Sequence, residues 1–171
     1  RSSPAPTSYP RKRLPMLQLD TPLELKSLDD ATGEFEGLAA VYGNVDSQGD
    51  RIEPGAFAAD DGIEVPILWN HKSDPIGVGK LTNTPAGVVI KGRLLLDTEG
   101  GREAYARLRA GAAKGLSIGF KLLDAVAGAV RRIVSGAIKE VSLTPWPANP
   151  SAMVTAYKSE PNPYAELTKY L

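Results

Sequence analysis

The chain has no cysteine and only one histidine, two tryptophans and two methionines in 171 residues. Without cysteine there is no disulfide, no thiolate metal site and no cysteine nucleophile. A lone imidazole, His71, excludes any mechanism that needs two histidines and any His-rich zinc site. No apolar run approaches the ~20 residues that cross a bilayer, and no signal peptide is visible. Charge of one sign is also missing. Twenty basic residues balance twenty acidic ones, so neither a general nucleic-acid binder nor a membrane-surface binder is expected. There is no internal repeat. Hydrophobic residues do make up 42% of the chain, enough for the core of a single domain.

The composition shifts along the chain. Residues 1–15 mix Ser and Pro with Arg1, Arg11, Lys12 and Arg13 and read as a flexible basic tail. Residues 16–158 read as one domain. Residues 159–171, with Pro161 and Pro163, read as a C-terminal tail that carries at most a short helix.

Within the domain, alternating apolar residues bounded by turn signals predict about eight short strands. Leu17 to Leu28, interrupted by Pro22, forms a hairpin with Glu34 to Tyr42. The loop from Gly43 to Asp50 is turn chemistry, because Asp46 and Asp50 lack calcium-loop spacing. Pro54 to Ala58 opens one helical turn. Val65 to His71 is a strand with Val65, Ile67, Trp69 and His71 on one face, and Pro66 marks an edge or an irregular start. Val78 to Leu81 and Val88 to Leu96 follow. Asp97 or Thr98 caps the one convincing interior helix, about 99–112, with Ala104, Tyr105, Leu108 and Ala112 inward. Lys114 to Phe120, Val130 to Val134, Ile138 to Leu143 and Ala152 to Tyr157 are the remaining strands, with a turn at 124–128. The fold class is mainly β: an antiparallel β-barrel with surrounding helices.

In the strand after the helix, alternation places Leu116, Ile118 and Phe120 on one face and Ser117 and Gly119 on the other. Ser117 thus sits on a rigid strand with open space beside it. A serine attacks only when a base takes its proton and a third group holds that base. His71 is the sole imidazole available. Glu140, on a strand face with Ile138 and Ser142, and Asp74, in the turn after His71, are rival partners for the ring. A Ser–Lys dyad through Lys114 or Lys72 needs a buried, uncharged lysine. The bland readings stay open at this level: Ser117 as a small outward residue, His71 as a structural histidine, and Glu140 as a solvated charge paired with Lys121 or Arg132.

Four ordered blocks resemble a known family. Gly43-Asn44-Val45-Asp46 through Gly49-Asp50-Arg51-Ile52 with Pro54-Gly55-Ala56-Phe57 resembles the entry segment of the tailed-bacteriophage prohead (procapsid) maturation proteases. Leu68-Trp69-Asn70-His71 with Pro75-Ile76-Gly77 is similar to their histidine motif. Gly115-Leu116-Ser117-Ile118-Gly119-Phe120 is similar to their serine motif. Lys139-Glu140-Val141-Ser142-Leu143-Thr144 with Pro147-Ala148-Asn149-Pro150 is similar to their third block. The resemblance runs from about Leu23 to Tyr157.

It implies a serine endopeptidase enclosed in the immature phage capsid within the bacterial cytoplasm. Such an enzyme cuts the scaffolding segment from the major capsid protein and processes itself. The implied fold is that of the herpesvirus assemblins, and the implied partners are the capsid protein and a second copy of the chain. No cofactor, metal, nucleic acid or membrane is implied. Assemblins use a His-Ser-His triad, which a chain with one histidine cannot build. By analogy of chain order the third role falls to Glu140, 23 residues after Ser117. Assemblins also carry paired arginines after that member, and this chain has the proline-rich loop there instead. Backbone N–H groups are then expected to form the oxyanion site, with Gly119, Trp146, Ala148 and Asn149 as candidates. The alternative function is a non-enzymatic β-barrel scaffold or capsid-binding module, in which His71, Ser117 and Glu140 would lie far apart.

Overall fold

The computed structural model describes residues 32–157. The expected tails, the strand expected at Leu17 to Leu28 and the short helix expected within 159–171 lie outside these residues.

Eight strands are present among the described residues: β1 (Glu34–Val41), β2 (Asp50–Ile52), β3 (Glu64–Trp69), β4 (Pro75–Thr84), β5 (Gly87–Leu94), β6 (Gly115–Val126), β7 (Arg131–Thr144) and β8 (Val154–Tyr157). One α-helix, α1 (Glu99–Arg109), and a 3-10 turn at Ala58–Asp60 complete them. The strands form a single sheet in the order β2-β7-β3-β4-β5-β1-β8, with β6 also on β7. An isolated bridge, Gly115 with Met153, joins the start of β6 to the residue before β8.

The sheet is not the antiparallel barrel expected from the sequence. The sheet is mixed, a curled half-barrel, because β7 runs parallel to both β2 and β3. Parallel neighbours need a crossover, and the chain from β3 to β7 supplies one through β4, β5, α1 and β6. Strand length also departs from expectation. The segments read as separate strands at 130–134 and 138–143 are one 14-residue strand, and β6 continues to Val126 through the turn expected at 124–128. Three register shifts in the β6–β7 ladder break the strict alternation, which is why the sequence pattern looked interrupted.

Both sides of β1 are occupied by later strands, β5 and β8. A register shift between Leu38 and Ala40 turns the consecutive Ala39 and Ala40 both inward. Pro66 lies inside the sheet rather than at an edge, but it precedes the first β7 pair, Ile67 with Val141. On that side no donor is demanded of it. Thr98 caps α1 by accepting the Gly101 N–H at 3.1 Å. The helix buries Ala104, Tyr105 and Leu108 as expected, while Ala112 lies beyond its end and is exposed.

The core is formed by Phe57, Ile67, Leu81, Ile90, Leu94, Leu108, Leu116, Val141 and Leu143. Burying one such side chain contributes roughly 1.5–3 kcal/mol. Phe57 meets the ring of Phe120 edge-on, with centroids 5.3 Å apart. Leu116 and Phe120 therefore anchor β6 on both sides of Ser117. No helix among the described residues is long and apolar enough to cross a membrane.

Candidate active site

β7 is the frame of the site. Its antiparallel pairing with β6 sets Ser117 opposite Ser142 and Gly119 opposite Glu140. Its parallel pairing with β3 ends at Trp69 opposite Leu143, so the residues after Trp69 arrive beside the same part of β7. His71 was expected to continue β3, but the strand stops at Trp69. Asn70 and His71 then take φ of 52° and 59°. This left-handed conformation is unusual for a non-glycine residue and is held only when surroundings fix it. Here Asn70 N–H donates to Leu143 O at 3.0 Å, His71 N–H to Ser142 Oγ at 2.9 Å, and Lys72 N–H to Trp69 O at 3.0 Å. Thr144 Oγ1 also donates to Asn70 Oδ1 at 2.8 Å. Arg107 of α1 stacks over Trp69, 4.8 Å from the ring centroid, on the approach to this turn.

The turn swings the imidazole between the two strands. His71 Nε2 is 3.1 Å from Ser117 Oγ, and Nδ1 is 2.7 Å from Glu140 Oε1. An ionised carboxylate can only accept, so the Nδ1 contact requires the proton on Nδ1. Nε2 then presents its lone pair to the Ser117 hydroxyl. The second carboxylate oxygen, Oε2, accepts from Ser142 Oγ at 2.8 Å. Glu140 is enclosed, its side chain 13% exposed, whereas the imidazole is 48% exposed and open to a substrate.

The space above Gly119 has a different use from the one its sequence context suggested. A Cβ there would come within 3.0 Å of Glu140 Cδ and overlap its carboxylate. The missing side chain makes room for the acid, and Gly119 itself also lines the cavity beside Ser117. Open space lies instead beside Ser117, in a cavity of about 250 Å³ whose lining includes Ala39, Asn44, Ile118, Ala148 and Asn149.

The proline-rich loop bears on the oxyanion candidates. Trp146 is 85% exposed, and its N–H already donates to Thr144 Oγ1 at 3.1 Å, so it has no free backbone donor to offer. Asn149 is locked by reciprocal amide bonds with Asn44, at 2.8 and 3.1 Å. Ala148 O accepts from Ser47 N–H at 3.0 Å, tying this loop to residues 43–50. That second loop has the turn chemistry expected of it, with Asp46 Oδ1 accepting the N–H groups of Gln48 and Asp50. Asp74, Lys72 and Lys114 are exposed, and Arg132 lies 3.7 Å from Glu53.

Asp50 also lines the cavity and forms a two-pronged pair with Arg131. The guanidinium hydrogen bonds hold the Asp50 carboxyl below the usual aspartate range, against the opposing effect of burial. A lowered folded value means that the unfolded chain binds more protons at acid pH. The pair's stability is therefore present above about pH 3.9 and lost as pH falls through the lowered value. Thermal melts of Asp50→Asn are expected to show a shallower acid limb than the parent. Equal limbs would contradict this.

Sequence reasoning missed Ser142, which is fully buried. The signal was present, since Ser142 stands two residues from Glu140 on the same face of one strand.

A serine, an imidazole and an enclosed carboxylate hydrogen-bonded in series, on a mainly β fold, have the make-up of a serine hydrolase. The chain belongs to the caudovirus prohead serine protease family, whose model matches residues 21–166. It is 35% identical over 141 residues to the prohead protease of Enterobacteria phage HK97, covering 77% of this chain and 63% of that protein. It is 33% identical over 148 residues to the capsid polyprotein of Pseudomonas phage PAJU2, covering 80% of this chain and 22% of that protein. The chain thus spans less than two thirds of either relative. Its fold is similar to that of the KSHV protease crystallised with a hexapeptide phosphonate inhibitor. There the TM-score is 0.50 at 14% identity, covering 71% of this chain and 63% of that one.

Proposed function

We propose that this chain is a serine endopeptidase that acts inside the immature phage capsid, cutting the scaffolding segment from the major capsid protein and processing itself. Ser117 is the nucleophile, His71 the general base and acid, and Glu140 the group that orients and balances the imidazole. The observation that carries the reading is the unbroken series Ser117 Oγ–His71–Glu140, with contacts of 3.1 and 2.7 Å, in a chain of this family.

The chemistry follows from the tautomer. Ser117 Oγ attacks the scissile carbonyl carbon while its proton passes to Nε2. The imidazolium that results keeps its Nδ1–H on Glu140, which opposes the new charge. Collapse of the tetrahedral oxyanion breaks the C–N bond, and Nε2 returns its proton to the leaving amine. Water, deprotonated by the same nitrogen, then hydrolyses the acyl-enzyme. Among the candidate donors, Gly119, Ala148 and Asn149 line the cavity, and the oxyanion is assigned to the backbone N–H groups of Ala148 and Asn149. The cavity receives a substrate side chain next to the scissile bond. The capsid polyprotein relative supports a capsid protein as the partner.

The test is covalent. A peptidyl or fluoro-phosphonate is expected to add one equivalent to the peptide carrying Ser117, read by mass spectrometry, and to stop cleavage of co-expressed capsid precursor. Labelling at another serine, with cleavage unaffected, would overturn the assignment.

A further inference from the structure

Ser142 has no part in the bond-making above, yet it touches both ends of the pair that activates the nucleophile. It is fully buried on β7. Its Oγ accepts the backbone N–H of His71 at 2.9 Å and donates to Glu140 Oε2 at 2.8 Å. The same oxygen stands 3.4 Å from His71 Nδ1.

A hydroxyl has one proton and two lone pairs, and its use here is determined. The proton goes to Oε2, since neither the His71 N–H nor a protonated Nδ1 can accept it. That bond fixes the roll of the carboxylate and leaves Oε1 facing Nδ1. One lone pair takes the His71 backbone N–H, which pins a residue whose φ of 59° needs external support. One atom therefore sets the base's main chain and the acid's orientation together. β7 supplies both Glu140 and Ser142 on one face, so the two cannot drift apart.

From this geometry we infer that Ser142 is the positioning residue of the site, and that it selects the Nδ1–H tautomer of His71 by holding Glu140 Oε1 in line with Nδ1. This inference rests on the proposed catalytic reading for its kinetic consequence, but the tautomer it specifies can be measured without any turnover.

The single histidine makes the measurement direct, because a ¹⁵N spectrum of the full chain contains one imidazole. Recorded in a Ser117→Ala background, which removes self-cleavage, the neutral ring is expected to be in the Nδ1–H form. Ser142→Ala, and Ser142→Cys with its weak donor and similar size, are expected to shift the ring towards the Nε2–H form. Ser142→Thr keeps the hydroxyl and is expected to restore Nδ1–H. With Ser117 present, the Ala and Cys variants should lose about 10²-fold in kcat at unchanged KM, the scale of a misplaced catalytic group. The Thr variant should recover most of that loss.

A folded Ser142→Cys protein that keeps the Nδ1–H ring and parental kcat overturns the inference. A tautomer shift in a chain that cleaves no capsid precursor, even with every residue intact, upholds the positioning role and overturns the proposed function instead.

Discussion

Ser117→Ala is expected to lower kcat for capsid-precursor cleavage by about 10⁶-fold, the scale seen when a serine protease loses its nucleophile, while the fold stays as it is. The two halves of this expectation have separate causes. Stability is untouched because β6 is held by groups other than Ser117. Leu116 is fully buried, Phe120 packs edge-on against Phe57, and the ladder to β7 runs through backbone atoms. The Ser117 hydroxyl adds one contact, to a half-exposed imidazole. Activity disappears because, among the described residues, no other nucleophile stands at Nε2. The measurement is the rate at which precursor shortens on mixing with pure protein, together with the melting temperature of parent and variant. Parental melting with no cleavage is the expected pair of results. Cleavage that survives the substitution would remove Ser117 from the mechanism.

How much of this could be read from the sequence depended on the range of the interactions concerned. Period-two alternation located β1, β5 and the serine strand, because it reports which side of a strand meets the core. A capping threonine and an inward stripe located α1 for the same local reason. Pairing partners carry no such mark. Nothing in Ile67 to Trp69 announces that they run parallel to Val141 to Leu143, so the mixed sheet could not be read from the pattern. The β6–β7 hairpin was read too short because its register shifts imitate turn signals.

The site divides along the same line. Residue chemistry and family resemblance nominated His71, Ser117 and Glu140, and a single histidine left no choice of base. The backbone conformation that carries His71 was not legible. His71 leaves the strand in a left-handed turn that depends on Leu143 and Ser142, about seventy residues later. Gly119 reads in the sequence as open space beside Ser117, because the sequence does not show what lies across the ladder. The occupant is Glu140.

The choice between Glu140 and Asp74 as the acid gives the second large effect. Glu140→Gln is expected to reduce kcat by about 10⁴-fold, as when the orienting acid of a serine protease loses its charge, whereas Asp74→Asn should leave it unchanged. Gln keeps the length and shape of the side chain, so the room left by Gly119 remains filled and the fold is preserved. Its amide meets two partners with conflicting needs, since Ser142 Oγ donates at one oxygen position and His71 Nδ1–H donates at the other. An amide has one oxygen. If that oxygen turns to Ser142, its NH₂ faces Nδ1, drives the ring proton to Nε2 and leaves no lone pair for Ser117. If it turns to His71, the tautomer survives, but the imidazolium formed during attack has no carboxylate to balance it. Either arrangement removes transition-state stabilisation and leaves the substrate cavity as it was, so KM should change little. Asp74 is exposed in the turn after His71 and is not a partner of the ring. Steady-state cleavage of one capsid-derived peptide by both variants decides the matter. Loss in Asp74→Asn with retention in Glu140→Gln would transfer the orienting role to Asp74.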